Sequence, residues 1–245
     1  MKNTVSCDTI YRVIVCKGVL MAIPELIYLS KNAVAVKKPV GMPSQSDPSG
    51  DLDLMKATEQ ILSERGEDHR IWLIHRLDRN VGGIVVFARN KESAARLSSL
   101  VAGEGIGKRY LAVTDGVPRE GEYRCYLYKD SATSKAYVVK TARKGAKEAV
   151  LELRIIAERE GKSLVSVKLS TGRFHQIRAQ LSNEGTPLTG DKKYGSRDRL
   201  SSVPSLFAYR LTLTLFDENI DISAAPELEK YPWNMFSAEI NEELK

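Results

Sequence analysis

The sequence predicts an α+β domain, a largely antiparallel sheet with helices packed on it. Strand-like segments outnumber helical ones, and short turns join most of them. No internal repeat or low-complexity linker divides the chain, although its 245 residues would suffice for one large domain or two small ones. A 42% hydrophobic and 28% charged composition fits a soluble globular protein with a sizeable core.

The elements follow in order. Residues 25–38, "ELIYLSKNAVAVKK", read as two short strands around a turn at Lys31 and Asn32. The stretch "PVGMPSQSDPSGDLD" is dense in Pro, Gly, Ser and Asp and reads as a long loop. Residues 53–65 read as a helix with Gly66 in the stop position. Residues 71–74 and 84–88 are strand-like and flank the turn "HRLD". Residues 91–101, rich in Ala, Leu and Ser, form a second helix. Strands are expected at 109–114, 123–128, 135–140, 148–157 and 163–169, most with alternating polarity. A short helix should begin near Thr171 and end before Gly185, and "LFAYRLTLTLF" forms a last strand. Residues 1–21 fit this pattern poorly. They are expected to be a poorly packed extension, or Met21 to be the true start, with the folded domain spanning 22–245.

Several function classes are excluded or weakened. No apolar run approaches the roughly 18 residues that span a bilayer, so no membrane association is expected. Arg12 and Lys17 interrupt the apolar N-terminal stretch, which points to a cytoplasmic protein. Cys7, Cys16 and Cys125 are far apart and lack metal spacing, against both a disulfide framework and a zinc site. "AGEGIGKRY" fails as a phosphate loop: Ala102 stands where the first Gly belongs and Arg109 where the hydroxyl belongs. Neither a G-x-S-x-G elbow nor H-E-x-x-H is present. A DNA-binding regulator lacks a helix-turn-helix pattern.

The net charge of +6 leans toward an anionic partner. In "KAYVVKTARKGAK", residues 135–147, five basic residues occur with no acid, and in "KKYGSRDR", residues 192–199, four meet one Asp. Such runs form either a solvated face or a track for a phosphate backbone.

Two stretches carry the chemistry. In "LIHRLDRNVGGIVVFARN", Asp78 sits between Arg76 and Arg79 just before a buried strand. In "STGRFHQIRAQLSNEGTPLTGDKKYG", helical spacing puts Phe174, Ile177 and Leu181 on one face, with Arg178 on its flank and partly buried. A partly buried guanidinium needs a carboxylate or several carbonyls. Asp78 is one candidate partner and Asp191 is a rival.

With these motifs the sequence resembles the RluA-type pseudouridine synthases over about residues 22–235. "VAVKKPVGMPSQ" is similar to the family's K-P-x-G strand and loop, and "HRLDRNVGGIVVFARN" to its H-R-L-D motif and following strand. "KRYLAVTDG" resembles the strand bearing its active-site tyrosine, and "TGRFHQIRAQLSNEGTPLTGDKKYG" its G-R-x-H-Q-I-R helix and loop. "LFAYRLTLTLF" resembles the closing strand. Two departures stand out: Val81-Gly82-Gly83 replaces Thr-Ser-Gly, and Phe174 stands where Thr or Ser is commoner. The N-terminal RNA-binding domain of many relatives is expected to be absent, because few residues precede Met21.

The resemblance implies isomerisation of uridine to pseudouridine in structured RNA, ribosomal or transfer RNA, without metal or organic cofactor. It implies that Asp78 is the catalytic aspartate, attacking the sugar carbon or removing its 2′ proton, and that Arg178 is its cation. Tyr110 matches the tyrosine that stacks on uracil and assists proton removal at carbon 5. Arg76 matches the arginine that supports extrusion of the base; Arg173 and His175, expected to begin the helix, are placed to meet phosphate. Lys37, Lys38 and Pro39 are read as fold elements. A monomer is expected. A catalytically silent RNA-binding relative is the alternative, disfavoured by the retention of Asp78, Tyr110 and Arg178 together.

Overall fold

The computed structural model describes residues 13–16, 19–103 and 105–245, with side chains from residue 22 onward. Strands β1 (Val13–Cys16) and β2 (Val19–Ala22) pair antiparallel as a separate two-stranded sheet. The expected division after residue 21 falls inside β2, where Met21 stands opposite Ile14. The rest of the expected extension, residues 1–12 and 17–18, lies outside the described residues.

The main sheet has eleven strands: β3 (Glu25–Leu29), β4 (Ala33–Lys38), β5 (Trp72–Leu73), β6 (Gly82–Ala88), β7 (Ile106–Asp115), β8 (Gly121–Asp130), β9 (Lys135–Val139), β10 (Ala146–Arg159), β11 (Lys162–Leu169), β12 (Leu206–Leu215) and β13 (Glu218–Ser223). Its order is β3-β4-β6-β12-β7-β11-β10-β8-β9, with β5 on β6 and β13 on β12. Every pairing is antiparallel except β6 with β12, where Phe207 and Ala208 stand opposite Gly82 and Gly83. This bears out a largely antiparallel α+β architecture.

Among the described residues, four α-helices pack on the sheet: α1 (Leu54–Glu64), α2 (Lys91–Ala102), α3 (Gln176–Asn183) and α4 (Ser237–Glu243). Asp53 caps α1 by accepting the Lys56 N–H, and Asn90 caps α2 by accepting the Ser93 N–H, each freeing the helix from an orphan donor. One core packs Leu54 and Leu62 of α1 and Ile177 and Leu181 of α3 on Val36, Phe87, Ala112 and Val165. Others join Leu97 of α2 to Ile84 and Val86, and Phe236 and Ile240 to Leu111 and Tyr209. β6 is therefore buried on both faces, which explains its unbroken apolar run.

Two expectations are corrected. The third helix starts at Gln176 rather than near Thr171, so Arg173, Phe174 and His175 precede it. Ile177 and Leu181 do share its buried face, but Phe174 lies outside the helix, stacked on His175 at 3.8 Å. The reason is side-chain competition for the backbone. Gln176 accepts the Arg173 N–H and donates to the Val150 carbonyl, while Thr171 accepts the Val150 N–H. Residues 171–175 are thereby tied to β10 instead of winding into a turn of helix. "LFAYRLTLTLF" is not the last strand either, since β13 and α4 follow it.

Candidate active site

The turn between β5 and β6, the start of β7, and the segment leading into α3 surround a cleft of about 480 Å³. Its lining includes Arg76, Asp78, Lys108, Tyr110, Arg173, His175 and Arg178. All six site residues singled out in the sequence therefore line one cleft, although 102 positions separate the first from the last.

Asp78 projects from the HRLD turn. Lys38 holds this turn from beneath. Its fully buried ammonium donates to the carbonyls of Pro39, Met42 and Arg79 at 3.0, 2.6 and 2.9 Å. Burial pushes the Lys38 amine down to about 7, against the opposing pull of Asp78. Ser44 adds reciprocal bonds to the backbone of Leu77, and Arg79 is ion-paired with Asp47 and Asp51. The Lys-Pro loop and the HRLD turn are thus fastened to each other by side-chain bonds to backbone groups and by ion pairs.

Arg178 is 7% exposed. The sequence left two carboxylates as rivals for it, and the structure gives it both. Its Nε and Nη2 donate to Asp191 at 2.7 and 2.9 Å, and its Nη1 donates to Asp78 Oδ2 at 3.1 Å. Burial works against its charge, but Asp191 and then Asp78 hold its pKa above the ordinary value. On the same carboxylate, His175 Nε2 stands 3.4 Å from Asp78 Oδ2. Burial, only partly offset by Asp78, pushes this imidazole down to about 4, so it is neutral near pH 7.

Tyr110, from β7, is 8% exposed, and its hydroxyl has no hydrogen-bond partner among the described residues. Burial, reinforced by Asp78, raises its pKa, so the phenol keeps its proton. Arg76 and Arg173 lie at the exposed mouth. Arg173 donates to the Glu148 carbonyl at 2.7 Å, whereas Arg76 makes no ion pair among the described residues. His75 also lines the cleft, but its ring is tied to the backbone. Its Nε2 accepts the Val86 N–H at 3.1 Å and extends the β5–β6 ladder, and burial pushes it down to about 3.

Sequence reasoning missed Tyr194. Its hydroxyl accepts the Ala136 N–H at 2.7 Å and lies 3.0 Å from His175 Nδ1. A lone tyrosine in a basic run carries no periodic signal that would expose such a role. The departure at Gly82, and the Gly83 that matches the family's glycine, both have a local cause. Gly83 lies at φ +122°, and a Cβ there would come within 2.4 Å of the Ala208 carbonyl oxygen. At Gly82 a Cβ would approach Phe207 at 3.1 Å and Val40 at 3.2 Å. Side chains of neighbouring elements occupy the space that a Ser would need.

The cleft holds a carboxylate beside a guanidinium, a protonated phenol and free cations at its rim. That set can do acid–base or nucleophilic chemistry on a group of one nucleotide's size. Among the described residues there is no cluster of three or more His, Cys, Asp or Glu side chains able to hold a metal, and no helix long and apolar enough to cross a membrane. An RNA pseudouridylate synthase family model matches residues 32–183, more than half of the chain. An uncharacterized RNA pseudouridine synthase of Zymomonas mobilis is 32% identical over 208 residues, covering 82% of this chain and 93% of that protein. Ribosomal large subunit pseudouridine synthase D of the same organism is 30% identical over 70% of this chain, which spans 56% of its length. The solved structure of human RNA Pseudouridylate Synthase Domain Containing 4 has the same fold, with a TM-score of 0.70 at 23% identity, covering 89% of this chain and 93% of that one. By sequence and by fold, this chain belongs to the RNA pseudouridylate synthase family, in its RluA-type branch.

Proposed function

We propose that the protein isomerises specific uridines to pseudouridine in structured RNA, ribosomal or transfer RNA, with Asp78 as the catalytic carboxylate. The observation that carries this reading is the contact of Arg178 Nη1 with Asp78 Oδ2 at the base of a nucleotide-sized cleft. In the reaction the bond from C1′ to N1 of the base breaks. The uracil turns, C5 bonds to C1′, C5 gives up its proton and N1 regains one. Electrons balance without a redox partner. Asp78 acts on the ribose, either by adding to C1′ or by taking the 2′ proton. Tyr110 offers a ring face to the uracil while it is detached, and its hydroxyl can take the proton at C5 only by passing its own proton on in the same step.

The target base must leave its stack, at a cost of about a few kcal/mol. Arg76 is proposed to support the everted nucleotide with its unpaired guanidinium, and Arg173 to meet phosphate at the cleft mouth. His175, expected with them as an RNA contact, lines the same cleft from deeper inside. No cofactor or metal enters this scheme. The catalytic domain is proposed as residues 22–245, preceded by an extension, in a cytoplasmic monomer.

The decisive variant is Asp78→Asn. It keeps the shape and removes the carboxylate. Isomerisation of cellular RNA transcripts should fall by at least a thousandfold, with RNA binding within about threefold of the unmodified protein. Full activity would refute the assignment of Asp78. The alternative of a silent RNA-binding relative is tested in the same assay: it requires the unmodified protein to bind RNA and form no pseudouridine. Mapping pseudouridines in cells with and without the gene identifies the RNA.

A further inference from the structure

The segment "GDKKYG", residues 190–195, contributes two side chains that the scheme above leaves unused. Asp191, 1% exposed, takes two donors of Arg178, at 2.7 and 2.9 Å. This two-point grip fixes the plane of the guanidinium, so its remaining nitrogen, Nη1, has one direction to point. That direction is Asp78 Oδ2, at 3.1 Å.

Tyr194 begins a second chain, and its polarity can be deduced. The Ala136 N–H donates to the Tyr194 hydroxyl oxygen at 2.7 Å. The hydroxyl proton is then available for the other neighbour, His175 Nδ1, at 3.0 Å. A neutral imidazole that accepts at Nδ1 carries its proton on Nε2. Nε2 stands 3.4 Å from Asp78 Oδ2, the oxygen that Arg178 already contacts. The Tyr194 ring touches both arms, with the Arg178 guanidinium 4.9 Å above it and the His175 ring edge-on at 5.6 Å.

The turn that carries both residues is itself anchored. Ser182 donates to the Tyr194 carbonyl at 2.6 Å, and Gly190 and Gly195 adopt φ of +82° and +97°. A Cβ at Gly190 would come within 2.3 Å of the Val203 carbonyl oxygen. The turn is therefore built to one shape.

We propose that the turn 191–194 is the positioning element of Asp78. Asp191 aims Arg178, Tyr194 sets the tautomer of His175, and the two donors converge on Oδ2 so that Oδ1 is presented to the ribose. Tyr194 and Asp191 are positioning residues that act through another side chain. The inference rests on the reading of Asp78 as the catalytic carboxylate.

The test is a double-mutant cycle on the single-turnover rate at saturating RNA. Tyr194→Phe keeps the ring and removes the hydroxyl. His175→Gln supplies an amide N–H at similar reach that needs no tautomer to be set. We expect Tyr194→Phe alone to slow isomerisation roughly tenfold with the RNA dissociation constant within about twofold. In the His175→Gln background the same change should cost less than about twofold. The lost partner of Ala136 is common to both backgrounds and cancels in the cycle. Equal losses in the two backgrounds, or a single variant within twofold of the unmodified rate, would overturn the proposal. Nitrogen NMR of the unmodified protein gives a check that needs no variant: His175 should be protonated on Nε2, and a proton on Nδ1 instead would also overturn it. An unmodified protein that binds RNA without isomerising it strikes the underlying reading, and is seen before any variant is made.

Discussion

Gly82 and Gly83 show how single residues are dictated by neighbours that are remote in sequence. The pairing of β6 with β12 brings the Ala208 backbone against Gly83, in a conformation that side chains rarely adopt. Gly83→Ala should therefore lose on the order of 3 kcal/mol of stability, since both the backbone strain and the clash are unrelieved. Gly82→Ser restores the residue commoner in relatives and should cost only about 1 kcal/mol, because one of its close neighbours, Val40, is half-exposed and can move. Denaturant midpoints at constant slope measure both, and equal losses would contradict this account. The same distinction separates the legible from the hidden parts of the site. That Asp78, Tyr110 and Arg178 would meet at one cleft could be read, because the motifs of the resemblance stand in order along the chain. Tyr194 and the doubling of Arg178 between Asp78 and Asp191 could not, because they arise where a turn folds back on a helix that ends eight positions before it.

Among the elements, those with strong periodicity and clear punctuation were readable. The strand pair at 25–38, both helices with Asp53 and Asn90 at their starts, and the five strands from β7 to β11 lie within a few residues of expectation. The failures are local. The start of α3 was misplaced because Thr171 and Gln176 engage β10 across the fold, a contact that helical spacing does not encode. β13 and α4 are short and weakly apolar, and they gain their place by packing on β12 and on Tyr209. Lys38 is the converse case, a charged residue inside a strand whose worth lies in joining two loops. Lys38→Met removes donors to three carbonyls: the buried Met42 acceptor is left without its partner, while the Arg79 carbonyl keeps only the Gly41 N–H. Hydrogen exchange over residues 39–44 and 77–81 should accelerate by about tenfold or more, with exchange in β10 and β11 unchanged. Uniform acceleration across the sheet would instead mean global destabilisation.

For the whole molecule, placing the site between packed layers has a consequence for its response to acid. His75 and His175 have pKa values of about 3 and about 4 in the folded protein, both lowered chiefly by burial, against an ordinary value of about 6.5. An unfolded chain binds protons at these positions as pH falls below about 6.5, while the folded chain does not. Stability must therefore be fully present above about 6.5 and decline as pH falls toward 4, with each imidazole adding a slope of up to about 1.4 kcal/mol per pH unit. The carboxylates with depressed values, among them Asp115, Asp198, Asp221 and Glu243, act in the same sense, but only as pH falls through the ordinary carboxylate range near 4. The interval from pH 6 to pH 5 thus isolates the histidines. Guanidinium unfolding at these two values should show a loss approaching the sum of two such slopes. His75→Gln, which keeps an acceptor near the Val86 N–H, should remove about half of that loss. A profile flat over this interval would mean that both imidazoles are charged in the folded protein, and the neutral donor assigned to His175 would then have no basis.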